Sequence, residues 1–145
     1  MNEIELNQKI MNYAQTATIY AKKFKKTLNF SSDSIRAVEK MLDYFSRDLN
    51  CGFIKRAIKK LFKKELTETH VTAMAYIWGA YVGETIRLRL GEECKWVDGD
   101  ASCNEFGLYL LHEDTKINPI EKVYKRLKFG PSENVRVYYL ALFKK

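Results

Sequence analysis

Apolar residues recur at steps of three and four over much of the chain, which is the spacing of one face of an α-helix. This spacing predicts a helix over residues 3–28 and a second helix that ends near Leu49, after a break at residues 29–34 that is rich in Asn, Ser and Asp. Residues 71–83 contain no charged side chain, and a helix that is apolar on every side is buried on several sides. We therefore predict that a helix over about 67–90 forms the centre of the fold.

The helical spacing stops after Gly91, and short runs typical of β-strands follow. These runs predict a small antiparallel hairpin over about 94–111. The pair Asn118-Pro119 predicts the start of a further helix, because proline is well tolerated in a first helical turn. The last segment, residues 133–143, suits either a helix or a strand, and Ser132 as a possible N-cap favours a helix.

Composition supports one globular domain. The chain has 145 residues, of which 46% are hydrophobic and 30% charged, and this length is sufficient for a single core. We predict a mostly helical α+β fold, with about five helices around the central helix, in a single domain over residues 1–145. No apolar run reaches the length of a membrane span. The polar, acidic N-terminus is unlike a signal peptide, so we expect a cytoplasmic location.

The cysteines and histidines argue against a metal or a cofactor. Cys94, Cys103 and His112 follow one another at intervals of nine residues, whereas structural zinc sites usually contain close C-x₂₋₄-C pairs. Three cysteines without such a pair also do not form a disulfide framework. We predict no metal and no cofactor, and the sequence leaves the roles of Cys51, Cys94 and Cys103 open.

Charge is distributed unevenly along the chain. Residues 1–64 carry 14 basic and 6 acidic side chains, residues 84–114 carry 3 basic and 8 acidic, and residues 115–145 carry 8 basic and 2 acidic. A protein with basic ends and an acidic middle is electrostatically steered toward charged partners.

Residues 53–64, FIKRAIKKLFKK, separate basic from apolar side chains more completely than any other segment. On a helical wheel the six bases occupy one half and six apolar or small residues occupy the other. Such a helix can face an anionic membrane surface, a nucleic-acid backbone or an acidic protein groove. The pattern is also that of a core helix whose solvent side is basic. The predicted partner-binding residues are Lys55, Arg56, Lys59, Lys60, Lys63 and Lys64.

Glu84 falls within an apolar sector of the predicted central helix, near Ile77 and Tyr81. A buried carboxylate is costly unless it is paired, and Arg87 lies three residues further on, within reach. Glu84 is therefore either a paired structural carboxylate or a functional group with a perturbed environment. With Trp96 from the hairpin, Glu84 and Arg87 form a candidate polar core.

A resemblance to a known family rests on three motifs that follow one another in order. They are Gly79-Ala80-Tyr81-Val82-Gly83-Glu84, then Trp96, then Asn118-Pro119 followed by Val123, Lys125-Arg126-Leu127 and Gly130. Over residues 70–135 the chain resembles a bacterial domain family of unknown function, and the basic segment 53–64 lies outside this match. The resemblance implies an α+β fold with a small sheet packed on helices and brings no activity. A connection with toxin or defence loci is an association only.

Three functions from different classes fit these observations. The first is a small non-catalytic interaction protein, of the immunity or accessory type, that binds one acidic protein partner. The second is a nucleic-acid-binding module that uses the basic segment 53–64 and the lysines of residues 22–26, although the aromatic residues mostly follow the apolar faces. The third is an enzyme that uses Glu84, Arg87 and Trp96. We favour the first because the chain contains no G-x-S-x-G, H-E-x-x-H or phosphate-binding glycine loop.

Overall fold

The computed structural model describes residues 2–50, 64–99 and 104–144. The described elements form a mostly helical α+β structure, which confirms the predicted fold class. In chain order they are α1 (Glu3–Lys23), α2 (Ser32–Asn50), α3 (Lys64–Leu90), β1 (Cys94–Asp98), β2 (Leu108–His112), β3 (Thr115–Ile117), α4 (Pro119–Phe129), a 3₁₀ turn (Pro131–Glu133) and α5 (Val135–Leu142).

The helix α3 lies at the centre of the fold, where it packs most extensively against α4 and α1. Every residue from Trp78 to Ile86 is buried, including the charged Glu84. The second half of the uncharged run 71–83 is therefore buried as predicted, whereas Ala73 in its first half is exposed. The neighbouring elements come very close at two glycines. A Cβ atom on Gly79 would lie 2.5 Å from the Cα of Ile120 in α4, so only glycine fits without movement of the backbone.

The first helix ends five residues earlier than residue 28, so that predicted end is wrong. Two backbone hydrogen bonds close the helix: Lys25 N–H donates to the carbonyl of Lys22 and Lys26 N–H donates to that of Ala21, each at 3.0 Å. Lys25 adopts the left-handed conformation, with φ of 61°. This is the Schellman arrangement of a helix end, here with lysine in the position where glycine is usual.

A break precedes α2 as predicted, although α2 already begins at Ser32, within residues 29–34. Hydrogen bonds join the backbone of this break to the central helix α3. Ser31 caps α2, since its Oγ accepts from the N–H of Ser34 at 3.2 Å. The hydroxyl of Tyr81 accepts from the N–H of Phe30 and donates to the Oγ of Ser34, both at 2.7 Å. Buried Tyr81 therefore determines where the chain turns between α1 and α2.

The sheet has the strand order β1-β2-β3, and both strand pairs are antiparallel. The predicted hairpin corresponds to β1 and β2, whose register runs from the pair Cys94 and His112 to the pair Asp98 and Leu108. The third strand is not predicted from the sequence, because the three residues of Thr115–Ile117 are too few to show an alternating pattern.

The C-terminal elements agree with the predictions from the sequence, except for the N-cap of the last helix. The helix α4 begins after Asn118 as predicted, and the last segment is the helix α5 rather than a strand. The predicted N-cap Ser132 is wrong, because it lies within the 3₁₀ turn. Asn134 caps α5 instead, with its Oδ1 accepting from the N–H of Val137 at 2.9 Å.

The predicted basic helix over residues 53–64 lies outside the described residues, apart from the backbone of Lys64, which begins α3. Among the helices that the structure describes, none combines the length and the hydropathy needed to cross a membrane.

Candidate functional site

Four lysines surround the end of α1, and the side chains of all four are exposed. They are Lys22 and Lys23 in the last helical turn and Lys25 and Lys26 just beyond it. Within the described part of the chain, none of the four forms an ion pair or a side-chain hydrogen bond. The Nζ of Lys23 lies 5.4 Å from the centre of the Tyr20 ring.

Three aromatic rings are exposed beside these lysines. The exposed fractions are 39% for Tyr20, 40% for Phe24 and 53% for Tyr44. Phe24 and Tyr44 contact each other edge to face, with ring centres 5.8 Å apart. We call the four lysines and these three rings the lysine–aromatic surface. The sequence predicts that aromatic residues mostly occupy buried faces, and these three are exceptions.

A column of rings connects this surface to the core. The ring centre of Phe45 lies 5.5 Å from that of Phe24 and 6.2 Å from that of Trp78. Trp78 is 1% exposed. Because each ring is packed on the next, the outer rings Phe24 and Tyr44 are held in place by the interior.

The predicted basic residues cannot be placed relative to this surface. The side chains of Lys55, Arg56, Lys59, Lys60, Lys63 and Lys64 lie outside the described residues. The lysines of the described surface are therefore those of residues 22–26, which the sequence assigns only to the nucleic-acid alternative.

Glu84, Arg87 and Trp96 lie close together, near the end of α3 and the start of β1. The Nε of Arg87 donates to Glu84 Oε2 at 2.8 Å, and Glu84 is 2% exposed. The ring of Trp96 lies against Gly83, and its Nε1 is buried without a hydrogen-bond partner. Burial raises the pKa of the neighbouring Cys94 thiol, with Arg87 lowering it and Glu84 raising it to smaller extents. This is the environment of a buried carboxylate that is paired with a partly exposed arginine.

A second buried charge cluster is one that the sequence interpretation missed. Arg126 is 1% exposed, and its guanidinium donates to Glu39 at 2.9 Å and to Asp43 at 2.6 Å. Glu39 Oε1 also accepts from the backbone N–H of Val135 at 2.9 Å. Burial opposes the charge on Arg126, but the hydrogen bonds of the two carboxylates outweigh it and raise the pKa of the guanidinium. The cluster joins α2, α4 and the start of α5.

A signal for this cluster is present in the sequence. Glu39 and Asp43 are four residues apart and so share one face of α2, and Arg126 falls beside Leu127 on the apolar stripe of α4. A lone arginine on an apolar stripe requires a carboxylate partner. Which helix supplies that partner is visible only in the folded structure.

A groove of about 790 Å³ lies between the start of α1 and the strands β1 and β2, and Trp96 contributes to its lining. At its edge, ligand atoms of Glu93, His112 and Glu113 lie within 4.8 Å of one another. An imidazole with two carboxylates could bind a divalent transition metal. Both glutamates are exposed, and exposed groups of this kind are common without an ion, so we assign no metal here.

Comparison with known proteins gives no match, whether to a protein family, to a curated protein or to a solved structure. The resemblance of residues 70–135 to an uncharacterised bacterial family therefore stays a prediction. The function must be argued from the geometry of the described residues.

Proposed function

We propose that this protein is an interaction module that holds an anionic macromolecule on the lysine–aromatic surface. The observation that carries the proposal is the set of four exposed lysines, within five residues, that have no acidic partner in the described part of the chain. Lysines this close repel one another. An anionic partner relieves that repulsion and is attracted by the field of the cluster.

Two simpler roles for these lysines explain less of the arrangement. The negative end of the helix dipole favours Lys22 and Lys23, by about 0.3–1 kcal/mol each, but Lys25 and Lys26 lie beyond the last turn. Solubility is served equally well by interspersed charges of both signs, and residues 22–26 contain no acid.

The environment of Glu84 does not favour its use as a catalytic group. Glu84 is buried and directed at Arg87 within the same helix, and the groove that Trp96 lines is not lined by Glu84 or Arg87. An interaction function agrees with the first function that the sequence predicts. The immunity or accessory character, the acidic protein partner and the cytoplasmic location stay predictions of the sequence.

Retention on immobilised heparin, a sulfated polyanion, tests the proposal. The test variant replaces Lys22, Lys25 and Lys26 with glutamine, and the matched control replaces Lys9, Lys95 and Lys144, which are also exposed lysines. Both variants lose the same net charge. We expect the test variant to elute at clearly lower salt than the control, because clustered charges bind a polyanion together.

Equal elution of the two triple variants would contradict the proposal. Retention would then follow net charge alone, and the lysines at the end of α1 would be ordinary solvated side chains. Circular dichroism of both variants should match the wild type, because every replaced side chain is exposed.

A further inference from the structure

We propose that the occupant of the lysine–aromatic surface is single-stranded nucleic acid, with bases stacked on Phe24, Tyr44 and Tyr20 and phosphates beside the lysines. This inference rests on the proposed function and specifies the chemistry of its partner. The lysines account for an attraction to anions of any kind, so the exposed rings must distinguish one class of anion from another.

The first reason to favour single-stranded nucleic acid is that the three rings are exposed. Between 39% and 53% of each of the three residues is open to solvent, although aromatic rings are among the side chains that gain most from burial. Every nucleobase has a flat face that can cover such a ring, so this stacking does not depend on the sequence of the nucleic acid. A duplex keeps these faces stacked inside, whereas a single strand can present them.

The second reason to favour single-stranded nucleic acid is that the packing of the interior holds Phe24 in place. Phe24 packs edge to face on Phe45, and Phe45 in turn packs on buried Trp78. Phe24 is also the C-cap residue of α1, with its N–H donating to the carbonyl of Ala21 at 3.0 Å. A ring held in this way loses little conformational freedom when a base stacks on it, which favours binding.

The position of the charges relative to the rings is the third reason. Phe24 stands between two lysine pairs in the chain, and the Nζ of Lys23 lies over the Tyr20 ring, 5.4 Å from its centre. Proteins that bind single strands combine a positively charged track with aromatic side chains in this manner. The buried centres of protein–protein interfaces are instead depleted in lysine, so the arrangement favours nucleic acid over an acidic protein.

The backbone just beyond α1, at Lys25 and Lys26, is held in one conformation. The φ of 61° at Lys25 and the hydrogen bonds of Lys25 and Lys26 to the last helical carbonyls determine the path of the chain. The backbone of the two lysines that follow Phe24 in the chain is therefore fixed at the end of α1.

Fluorescence anisotropy with labelled oligothymidylate and oligouridylate of about 12 nucleotides, within the site size of such surfaces, tests the inference. The competitors are an unlabelled duplex of the same length and polyglutamate, which represents an acidic protein. The ring variant is Phe24→Leu with Tyr44→Leu. Its matched control is Phe24→Tyr with Tyr44→Phe, which keeps both rings and exchanges only the hydroxyl.

We expect the wild type to bind the single strands more tightly than the duplex or polyglutamate. The ring variant should lose about tenfold or more in affinity, while the ring-keeping control stays near the wild type. The Lys22, Lys25 and Lys26 triple variant should weaken binding and lower the slope of log affinity against log salt by about 2. Near-UV circular dichroism verifies that the ring variant keeps its tertiary packing.

The outcomes separate this inference from the proposed function. If the ring variant binds the oligonucleotides as the wild type does, or if duplex competes as well as single strand, stacking is absent and the inference is overturned. Preferential binding of polyglutamate overturns it in favour of an acidic protein, while the lysine-dependent heparin retention still stands. Loss of any difference between the two lysine triple variants on heparin refutes the proposed function itself.

Discussion

Replacing Gly79 with alanine tests how closely α3 and α4 pack. A Cβ atom at this position would lie 2.5 Å from the Cα of Ile120 and 2.9 Å from its Cγ1. Carbon atoms that are not bonded are normally separated by about 3.5–4.0 Å. The methyl group therefore requires α4 to move away by about 1 Å, since a main-chain atom cannot be relieved by a change of rotamer.

The net effect of Gly79→Ala is the difference between two terms. Overpacking a close-packed core costs about 1–3 kcal/mol, and we expect the upper end because the backbone of α4 is the obstacle. Alanine favours a helix over glycine by about 1 kcal/mol. We therefore expect a net loss of about 2 kcal/mol in the free energy of unfolding, or a fall in Tm of roughly 4–8 °C for a chain of this size.

Gly83→Ala provides a comparison in which the obstacle is a side chain. The added Cβ would lie 2.3 Å from Cζ2 and 2.4 Å from Cη2 of Trp96, and phenylalanine lacks both of these atoms. The cost of Gly83→Ala should therefore fall by about 1 kcal/mol or more in a Trp96→Phe background, as contacting residues are coupled. The cost of Gly79→Ala should be the same in either background.

Urea unfolding followed by far-UV circular dichroism measures all of these variants. A Gly79→Ala protein that is as stable as the wild type, or more stable, would refute the packing argument, because helix propensity alone would then decide the outcome. An equal cost of Gly83→Ala in both backgrounds would show that the contact with Trp96 is not the one that excludes the methyl group.

Four further predictions follow from the charged and titratable groups. Glu84→Gln should cost less than about 1 kcal/mol in urea unfolding, whereas Glu84→Ala leaves its arginine partner without a carboxylate and should cost about 1–3 kcal/mol. Arg126→Met should cost about 3 kcal/mol or more, since it leaves two partly buried carboxylates facing each other; a neutral result would contradict the assigned cluster. Because burial raises the pKa of the Cys94 thiol, mass spectrometry should find this residue alkylated by iodoacetamide only after unfolding. The hydrogen bond from Lys122 lowers the pKa of Glu133, so the stability that Glu133→Gln removes, at most about 1 kcal/mol, should be present at neutral pH and vanish as the pH falls below about 4.

Much of the fold can be predicted from the sequence because its signals are local. The step of three and four residues marks α1, α2 and α3, and the uncharged run 71–83 marks the centre of the core. Pro119 and Gly130 mark the ends of α4 in the same way. Each of these features depends on residues within a few positions of one another, so the chemistry of the segment itself determines the element.

The errors have physical causes of a different kind. The apolar spacing continues past Lys23, yet the helix ends there because Lys25 adopts a left-handed conformation that lysine rarely takes. Asn134 rather than Ser132 caps α5, because the 3₁₀ turn displaces the start of the helix by two residues. The strand β3 forms because β2 offers it an open edge, with Leu110 paired to Ile117, and not because of a pattern of its own.

The sequence by itself determines the approximate positions of α1 to α4, the hairpin, the buried centre and the existence of a lysine cluster after Tyr20. Only the tertiary structure decides what those lysines adjoin, because Tyr44 comes from α2 and meets Phe24 through packing between helices. The same holds for Arg126, whose partner Glu39 is 87 residues away in the chain. Periodicity shows which face of a helix is apolar, but the neighbours that cover that face, and the rings that they leave exposed, follow from the arrangement of all the elements together.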